Sequence, residues 1–196
     1  VERALRNLHA GGVDFSIITA PPDHLDEFNE ALSAPELRAI SRVVPGSPLS
    51  RQASVAAGLD ALAEILGEED AARKCAISVS DPTASAVGEN APVLIHDAAR
   101  PLVSAQLVRR VIEALRSGEK AVIPGLPVAD TLKSFRLIDE ASAGQVQGVR
   151  YVDATVDRAG LVAVQTPQGF PWKVIRELHR RAEASANSEA TALTDD

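Results

Sequence analysis

The chain has 196 residues, 45% of them apolar and only 3% aromatic, with a formal net charge of −7. That length supports one sizeable α/β domain with an aliphatic core, and the apolar content excludes a disordered chain. The acidic balance excludes nucleic-acid binding by bulk attraction, so an anionic ligand needs a local cluster of Arg and Lys.

Cys75 is the only cysteine, so no intrachain disulfide forms and a reducing, cytoplasmic compartment is expected. The sequence has no signal-like segment and no apolar run of membrane-spanning length, so no membrane partner is expected. Val1, Ala4, Leu5 and Leu8 recur at helical spacing, and Gly11 and Gly12 end that helix. No strand precedes it, and both ends of the chain are expected to be cut. Val13 to Thr19 reads as the first strand. Pro21 to Asp23 then start a helix that runs to about Leu32, with a solvated acidic face of Asp23, Asp26, Glu27 and Glu30. A second strand is expected over Ala39 to Val44.

Pro45 to Ser50 is a Pro/Gly/Ser loop that leads into a helix with Val55, Leu59, Leu62, Ile65 and Leu66 on one face. Its start carries Arg51, Gln52 and Ser54. A helix N-terminus offers unpaired N–H groups to an anion, and Ser54 reads either as a cap or as a ligand group. Residues 68–90 read as a surface excursion with a short strand over Cys75 to Val79. Cys75 is a small apolar filler there, with no adjacent His to activate it.

Val93, Leu94 and Ile95 form a short aliphatic run bounded by turn residues, the pattern of a fully buried strand in a parallel sheet. Asp97, Ala98, Ala99 and Arg100 follow at its carboxyl end, where open α/β sheets bind ligands. Alone, this turn reads first as a solvated Asp–Arg pair. The alternative is a carboxylate for a hard cation such as Mg²⁺ beside a guanidinium for phosphate. Ser104 then caps a helix with Leu107, Val108, Val111, Ile112 and Leu115 on its apolar face, closed by Gly118.

Lys120 to Pro124 reads as another buried strand, followed by Asp130, Thr131 and Lys133. Residues 134–156 are expected to form a projecting β-arm carrying Tyr151. Such an arm cannot bury its own apolar face, which points to a homodimer. Leu161 to Gln165 is the last strand, with Asp157 and Arg158 before it and Thr166 after it. Arg158 reads as a surface partner of Asp157 or as a phosphate contact. Pro171 is expected in the first turn of a helix bearing Val174, Ile175 and Leu178, with Trp172 as a packing residue. His179 lies among charged residues and is expected to be exposed, whereas His96 reads as a satisfied structural histidine. No His/Cys metal spacing, Walker loop, G-x-S-x-G or G-x-G-x-x-G occurs.

The segments VLIHDAARPLV, LPVADTLK, TVDRAGL, QTPQGF and the final TDD resemble, in order and rough spacing, the 2-C-methyl-D-erythritol 4-phosphate cytidylyltransferases of non-mevalonate isoprenoid synthesis. RQASVAAGL is similar to the helix start after that family's Gly-Gly loop, so the resemblance spans nearly the whole chain. It implies a Rossmann-like nucleotidyltransferase fold, a mostly parallel sheet flanked by helices. It also implies transfer of CMP from CTP to methylerythritol phosphate with release of pyrophosphate.

By the same resemblance, Asp97 would hold Mg²⁺ and the CTP phosphates, and Ala98 would contact the nucleotide through its backbone. Arg51 and Ser54 would serve the nucleotide from the helix start, with Ser54 on the cytidine, and Arg100 would lie on the sugar-phosphate side. Thr131 and Arg158 would grip the methylerythritol phosphate, one of them across the dimer, and Thr166 and Thr194 would line the same pocket. Lys133 would join Arg51, Arg100 and Arg158 in the cationic set.

On this view residues 1–196 form one nucleotidyltransferase domain truncated at both ends, without the family's N-terminal glycine-rich loop and the lysine that follows TDD. Pro45-Gly46-Ser47-Pro48 stands where a Gly-Gly turn is expected, and the 68–90 excursion is long. Two other assignments stay open. One is a cytidylyltransferase for another polyol phosphate, such as ribitol 5-phosphate. The other is a non-catalytic nucleotide-binding or dimerisation module.

Overall fold

The computed structural model describes residues 1–66, 89–136 and 151–186. In chain order the elements are α1 (Glu2–Ala10), β1 (Ser16–Ala20), a 3-10 turn (Pro22–His24), α2 (Leu25–Ala31), α3 (Pro35–Ala39), β2 (Ser41–Pro45) and α4 (Arg51–Leu66). They continue with β3 (Pro92–Ile95), α5 (Ala105–Arg116), β4 (Gly125–Pro127), β5 (Lys133–Arg136), β6 (Tyr151–Thr155), β7 (Val162–Val164), β8 (Gln168–Pro171) and α6 (Trp172–Ala186). These fall into two compact units, Val1–Ile123 with Thr166–Asp196, and Pro124–Gln165.

In the first unit β1 and β2 run parallel, with Ile18 opposite Val43, as a helical crossover between two strands requires. β1 starts at Ser16 and not at Val13, because the Val13 N–H is drawn back to the Leu8 carbonyl at the end of α1. β2 likewise starts two residues later than its sequence suggests. Pro35 opens α3, which the apolar pattern does not reveal, and Ile40 N–H still bonds to the Leu37 carbonyl. Leu5, Leu32 and Leu37 form one core cluster here, with Ile18 and Val43 packed on it.

β3 explains its own aliphatic run. Ile95 joins Leu59, Phe170 and Ile175, with Val93 packed alongside, whereas Leu94 packs with Val108 and Ile112 on the other face. Alternate side chains thus meet α4 and α6 on one side and α5 on the other, which demands apolar residues at every position. Its described partner, β8, runs antiparallel and pairs Ile95 with Gln168, and Val93 and Leu94 are half-buried. The expectation of a fully buried strand with parallel pairing is corrected for this pair.

A Cβ on Gly169 would lie 2.6 Å from Val111 Cγ1 and 2.9 Å from Leu115 Cδ1, so α5 rests on the bare backbone of β8. The expected strand over Lys120 to Pro124 reduces to a single bridge. Val122 and Gly169 exchange two backbone hydrogen bonds of 2.9 and 2.8 Å, Ile123 is 46% exposed, and Pro124 has no N–H to extend the ladder.

α5 matches its sequence pattern. Ser104 Oγ accepts from Leu107 N–H, and Val108, Val111, Ile112 and Leu115 are buried. At its end Gly118 takes φ +108°, while Gly118 N–H bonds to the Leu115 carbonyl and Glu119 N–H to the Ala114 carbonyl. This paired closure needs a left-handed residue.

Two further expectations at α6 are corrected. Pro171 ends β8 opposite Pro92 and does not open the helix. The first-turn N–H groups of Trp172 and Lys173 bond instead to the Ala91 and Glu89 carbonyls. His179 is buried, at 5% exposure. It lies four residues past the buried Ile175 on the inward stripe, and helical period outweighs its charged sequence neighbours. Trp172 packs on the core as expected.

In the second unit β4 pairs with β7 and β5 with β6, both antiparallel, with a register shift between Ser134 and Phe135. Leu126, Phe135, Tyr151, Val152 and Val162 are exposed there. The Cys75–Val79 strand, most of the 68–90 excursion, the centre of 134–156 and Thr194 lie outside the described residues. No helix among the described residues is long and apolar enough to cross a membrane.

Candidate active site at the end of the third strand

β3 delivers His96 and Asp97 to the edge of the first unit, and Arg100 N–H closes the turn on the Asp97 carbonyl at 2.9 Å. The Asp97 carboxylate sits between two guanidiniums. Arg51 Nε donates to Oδ1 and Arg100 Nε to Oδ2, each at 3.3 Å. The three side chains are 35%, 33% and 45% exposed. Water therefore screens the pairs, and they add little stability. What they do is hold two positive groups beside one negative one at a strand end. Ala98 and Ala99 are exposed and leave the turn's backbone open to a ligand.

The α4 start faces this turn. Ser50, not Ser54, caps the helix: Ser50 Oγ accepts from Ala53 N–H at 3.0 Å. Ser54 Oγ accepts from Ser47 N–H and donates to the Ser47 carbonyl, both at 3.0 Å, and so pins the preceding loop. This corrects the cap assignment. The loop itself is tied to β1 by Gly46 N–H on the Ala20 carbonyl at 2.7 Å.

Thr166 reaches the turn from the other side. Its Oγ1 accepts from Asp97 N–H at 3.3 Å and lies 2.9 Å from His96 Nδ1, while His96 Nε2 is 3.1 Å from the Arg100 carbonyl. Both ring nitrogens are therefore engaged, as expected of a structural histidine. Burial lowers the His96 pKa below the usual imidazole value, and the Arg100 charge adds to this. The Arg100 carbonyl and the Asp97 charge oppose the shift. Gln168 is 1% exposed and its Oε1 finds no hydrogen-bond partner among the described residues.

Arg51, Asp97, Arg100 and Thr166 are thus brought into one network, with Ser54 and Ala98 on its flanking elements. The sequence does not expose His96 as the link, although its position directly before Asp97 is the available signal. Thr131, Lys133 and Arg158 belong to the second unit. There Arg158 Nη1 donates to the Ala129 carbonyl and the Asp157 carboxylate accepts from Ala159 N–H. The pairing of Asp157 with Arg158 is corrected accordingly. Thr131 and Arg158 flank the same end of the β5–β6 pair, beyond the Val156 N–H bond to the Leu132 carbonyl. Lys133 Nζ donates to Thr155 Oγ1. Among the described residues no three His, Cys, Asp or Glu side chains gather as a metal cluster.

Residues 76–196 match the family model described as IspD: 2-C-methyl-D-erythritol 4-phosphate cytidylyltransferase. The chain is 38% identical over 183 residues to the 2-C-methyl-D-erythritol 4-phosphate cytidylyltransferase of Streptomyces avermitilis, covering 92% of this chain and 61% of that protein. It is 34% identical over 180 residues to the bifunctional enzyme IspD/IspF of Nitratidesulfovibrio vulgaris, covering 90% of this chain and 36% of that protein. It therefore spans less than two thirds of the length of either relative. The crystal structure of 4-diphosphocytidyl-2C-methyl-D-erythritol synthase from Anaerococcus prevotii superposes with a TM-score of 0.66 at 29% identity, covering 99% of this chain and 67% of that one. The fold is accordingly the nucleotidyltransferase fold of those enzymes, and the chain belongs to the 2-C-methyl-D-erythritol 4-phosphate cytidylyltransferase family.

Proposed function

We propose that this chain carries out the reaction its family is named for, transfer of CMP from CTP to 2-C-methyl-D-erythritol 4-phosphate with release of pyrophosphate. The observation that carries this proposal is the Asp97 carboxylate held between Arg51 and Arg100 at a strand end, in a chain of that family. The substrate phosphate oxygen attacks the α-phosphorus of CTP. A new P–O bond forms, the bond to the β-phosphate oxygen breaks, and pyrophosphate leaves with the electron pair. Both reactants are anions, so the protein's work is alignment and charge compensation, without a covalent nucleophile.

Arg51 supplies positive charge at the triphosphate, and Arg100 supplies it on the sugar-phosphate side. Ser54 holds the loop on the cytidine side, and Ala98 offers its backbone to the nucleotide. Arg158 and Thr131 take the methylerythritol phosphate, and Thr166 and Thr194 line the polyol pocket. Asp97 fits a Mg²⁺ ion. Mg²⁺ is commonly held by one or two carboxylates plus substrate phosphates, and the Asp97 side chain is partly exposed. When bound, the ion would neutralise phosphate charge. Residues 134–156 pair two subunits, which the exposed Phe135, Tyr151 and Val152 support, and the homodimer works in the cytoplasm.

The test is pyrophosphate release from CTP and Mg²⁺, with methylerythritol phosphate or ribitol 5-phosphate as acceptor. Release that depends on methylerythritol phosphate is expected. Release only with ribitol 5-phosphate would move the assignment to that substrate, and none with either would remove the activity.

A further inference from the structure

His96 touches the site on two sides. Its Nε2 is 3.1 Å from the Arg100 carbonyl oxygen, and its Nδ1 is 2.9 Å from Thr166 Oγ1. A carbonyl oxygen only accepts, so Nε2 carries a proton. The neutral ring then presents Nδ1 as an acceptor, and the Thr166 hydroxyl must donate to it. Thr166 Oγ1 meanwhile accepts from Asp97 N–H. The hydroxyl proton and one lone pair are therefore committed inside the protein. What Thr166 keeps for a ligand is one acceptor lone pair.

We infer that His96 is a positioning residue that fixes the Thr166 hydroxyl as a hydrogen-bond acceptor and holds the Asp97–Arg100 turn through the Arg100 carbonyl. This rests on the placement of Thr166 in the polyol pocket proposed above, and it specifies what that pocket takes at this point. The group that meets Thr166 is a hydroxyl that donates. A phosphate oxygen or a carbonyl brought there would face a lone pair with a lone pair, and the site would reject it.

Two measurements on the protein test the inference. Imidazole ¹H–¹⁵N spectra of histidine-labelled wild-type protein should show His96 protonated on Nε2 and bare on Nδ1. A proton on Nδ1, alone or together with one on Nε2, would overturn the assignment, and this readout needs neither turnover nor a variant. The second is kinetic. His96→Ala should raise the KM for the polyol phosphate roughly tenfold, the value of a neutral hydrogen bond left unmade, with little change in the KM for CTP. His96→Asn keeps an acceptor near the Nδ1 position and should recover most of that KM. His96→Gln keeps a donor near the Nε2 position and should not. An unchanged KM in His96→Ala, or equal recovery by Asn and Gln, would overturn the inference. Absence of turnover in the wild type would count against the proposed function, and the spectrum would still decide the His96 assignment.

Discussion

Arg51 Nε lies 3.3 Å from Asp97 Oδ1, although 46 residues separate the two in sequence. The apolar core beneath explains how they meet. Leu59 of α4 and Ile95 of β3 share one buried cluster, and that packing aims the first turn of the helix at the end of the strand. Arg100 closes on the other carboxylate oxygen. Because all three side chains are a third or more exposed, the contact contributes placement more than stability.

Asp97→Asn separates those two contributions. The variant should unfold in urea within about 1 kcal/mol of wild type, since only screened ion pairs are lost. Its Mg²⁺-dependent turnover should collapse. Wild-type turnover in this variant would remove Asp97 from the metal role.

Arg158→Ala probes the polyol phosphate side. Loss of a charge-assisted hydrogen bond of about 1.5–3 kcal/mol corresponds to roughly ten- to hundredfold in kcat/KM. The loss should appear in the KM for the sugar phosphate and leave that for CTP nearly unchanged. Arg158→Lys should restore only part, because an ammonium cannot reproduce the guanidinium fork. Unchanged sugar-phosphate kinetics in Arg158→Ala would take this residue out of the site.

The ends of α5 offer a test of the fold that is independent of catalysis. Ser104→Ala leaves the Leu107 N–H without its cap and should cost about 1 kcal/mol. Gly118→Ala meets no atom within 4 Å, so its cost of about 1 kcal/mol comes from the left-handed backbone alone. Urea midpoints of the two variants and of their double mutant should show additive losses, since the sites lie at opposite helix ends.

α5 was also the most legible element. Its cap, its 3.6-residue stripe and its terminal glycine all lie within one local stretch and agree. β3 was legible because a strand covered by helices on both faces must be apolar throughout. The sequence misleads where helical period, a proline or a loop contact outweighs what the immediate neighbours suggest. His179 has charged sequence neighbours, yet its distance of four residues from Ile175 decides its burial. Val122 lies in a strand-like run, yet its ladder ends at Pro124. Ser50 and Ser54 are equally cap-like by residue type, and only the folded loop shows that Ser50 caps the helix and Ser54 binds Ser47. Position alone leaves Asp97 and Arg100 as a solvated pair or as candidate ligands, and the structure shows them paired. The His96 link to Thr166 spans 70 residues and has no local signature.

His96 also carries a pH signature in stability. Its pKa is depressed in the folded protein, chiefly by burial, so the unfolded chain binds the proton first as pH falls. Stability from this group is complete above the ordinary imidazole value of about 6.5 and is lost as pH drops from there toward the folded value. Thermal melts should show wild-type protein losing stability over that window, and His96→Asn losing less. Parallel pH profiles for the two would contradict the assignment.

The dimer proposal has its own test. Deleting Ala141 to Gly148 removes the centre of the 134–156 segment and should shift sedimentation equilibrium toward the monomer. A strictly monomeric wild type with full activity would exclude pairing through this segment.

The most direct measurement follows the bond itself. With CTP, Mg²⁺ and 2-C-methyl-D-erythritol 4-phosphate, ³¹P spectroscopy should show the sugar phosphomonoester signal disappear. Two coupled diphosphate signals and free pyrophosphate should take its place in equal amounts. A phosphomonoester signal that persists while the wild-type protein remains folded in the presence of CTP would contradict the proposed transfer.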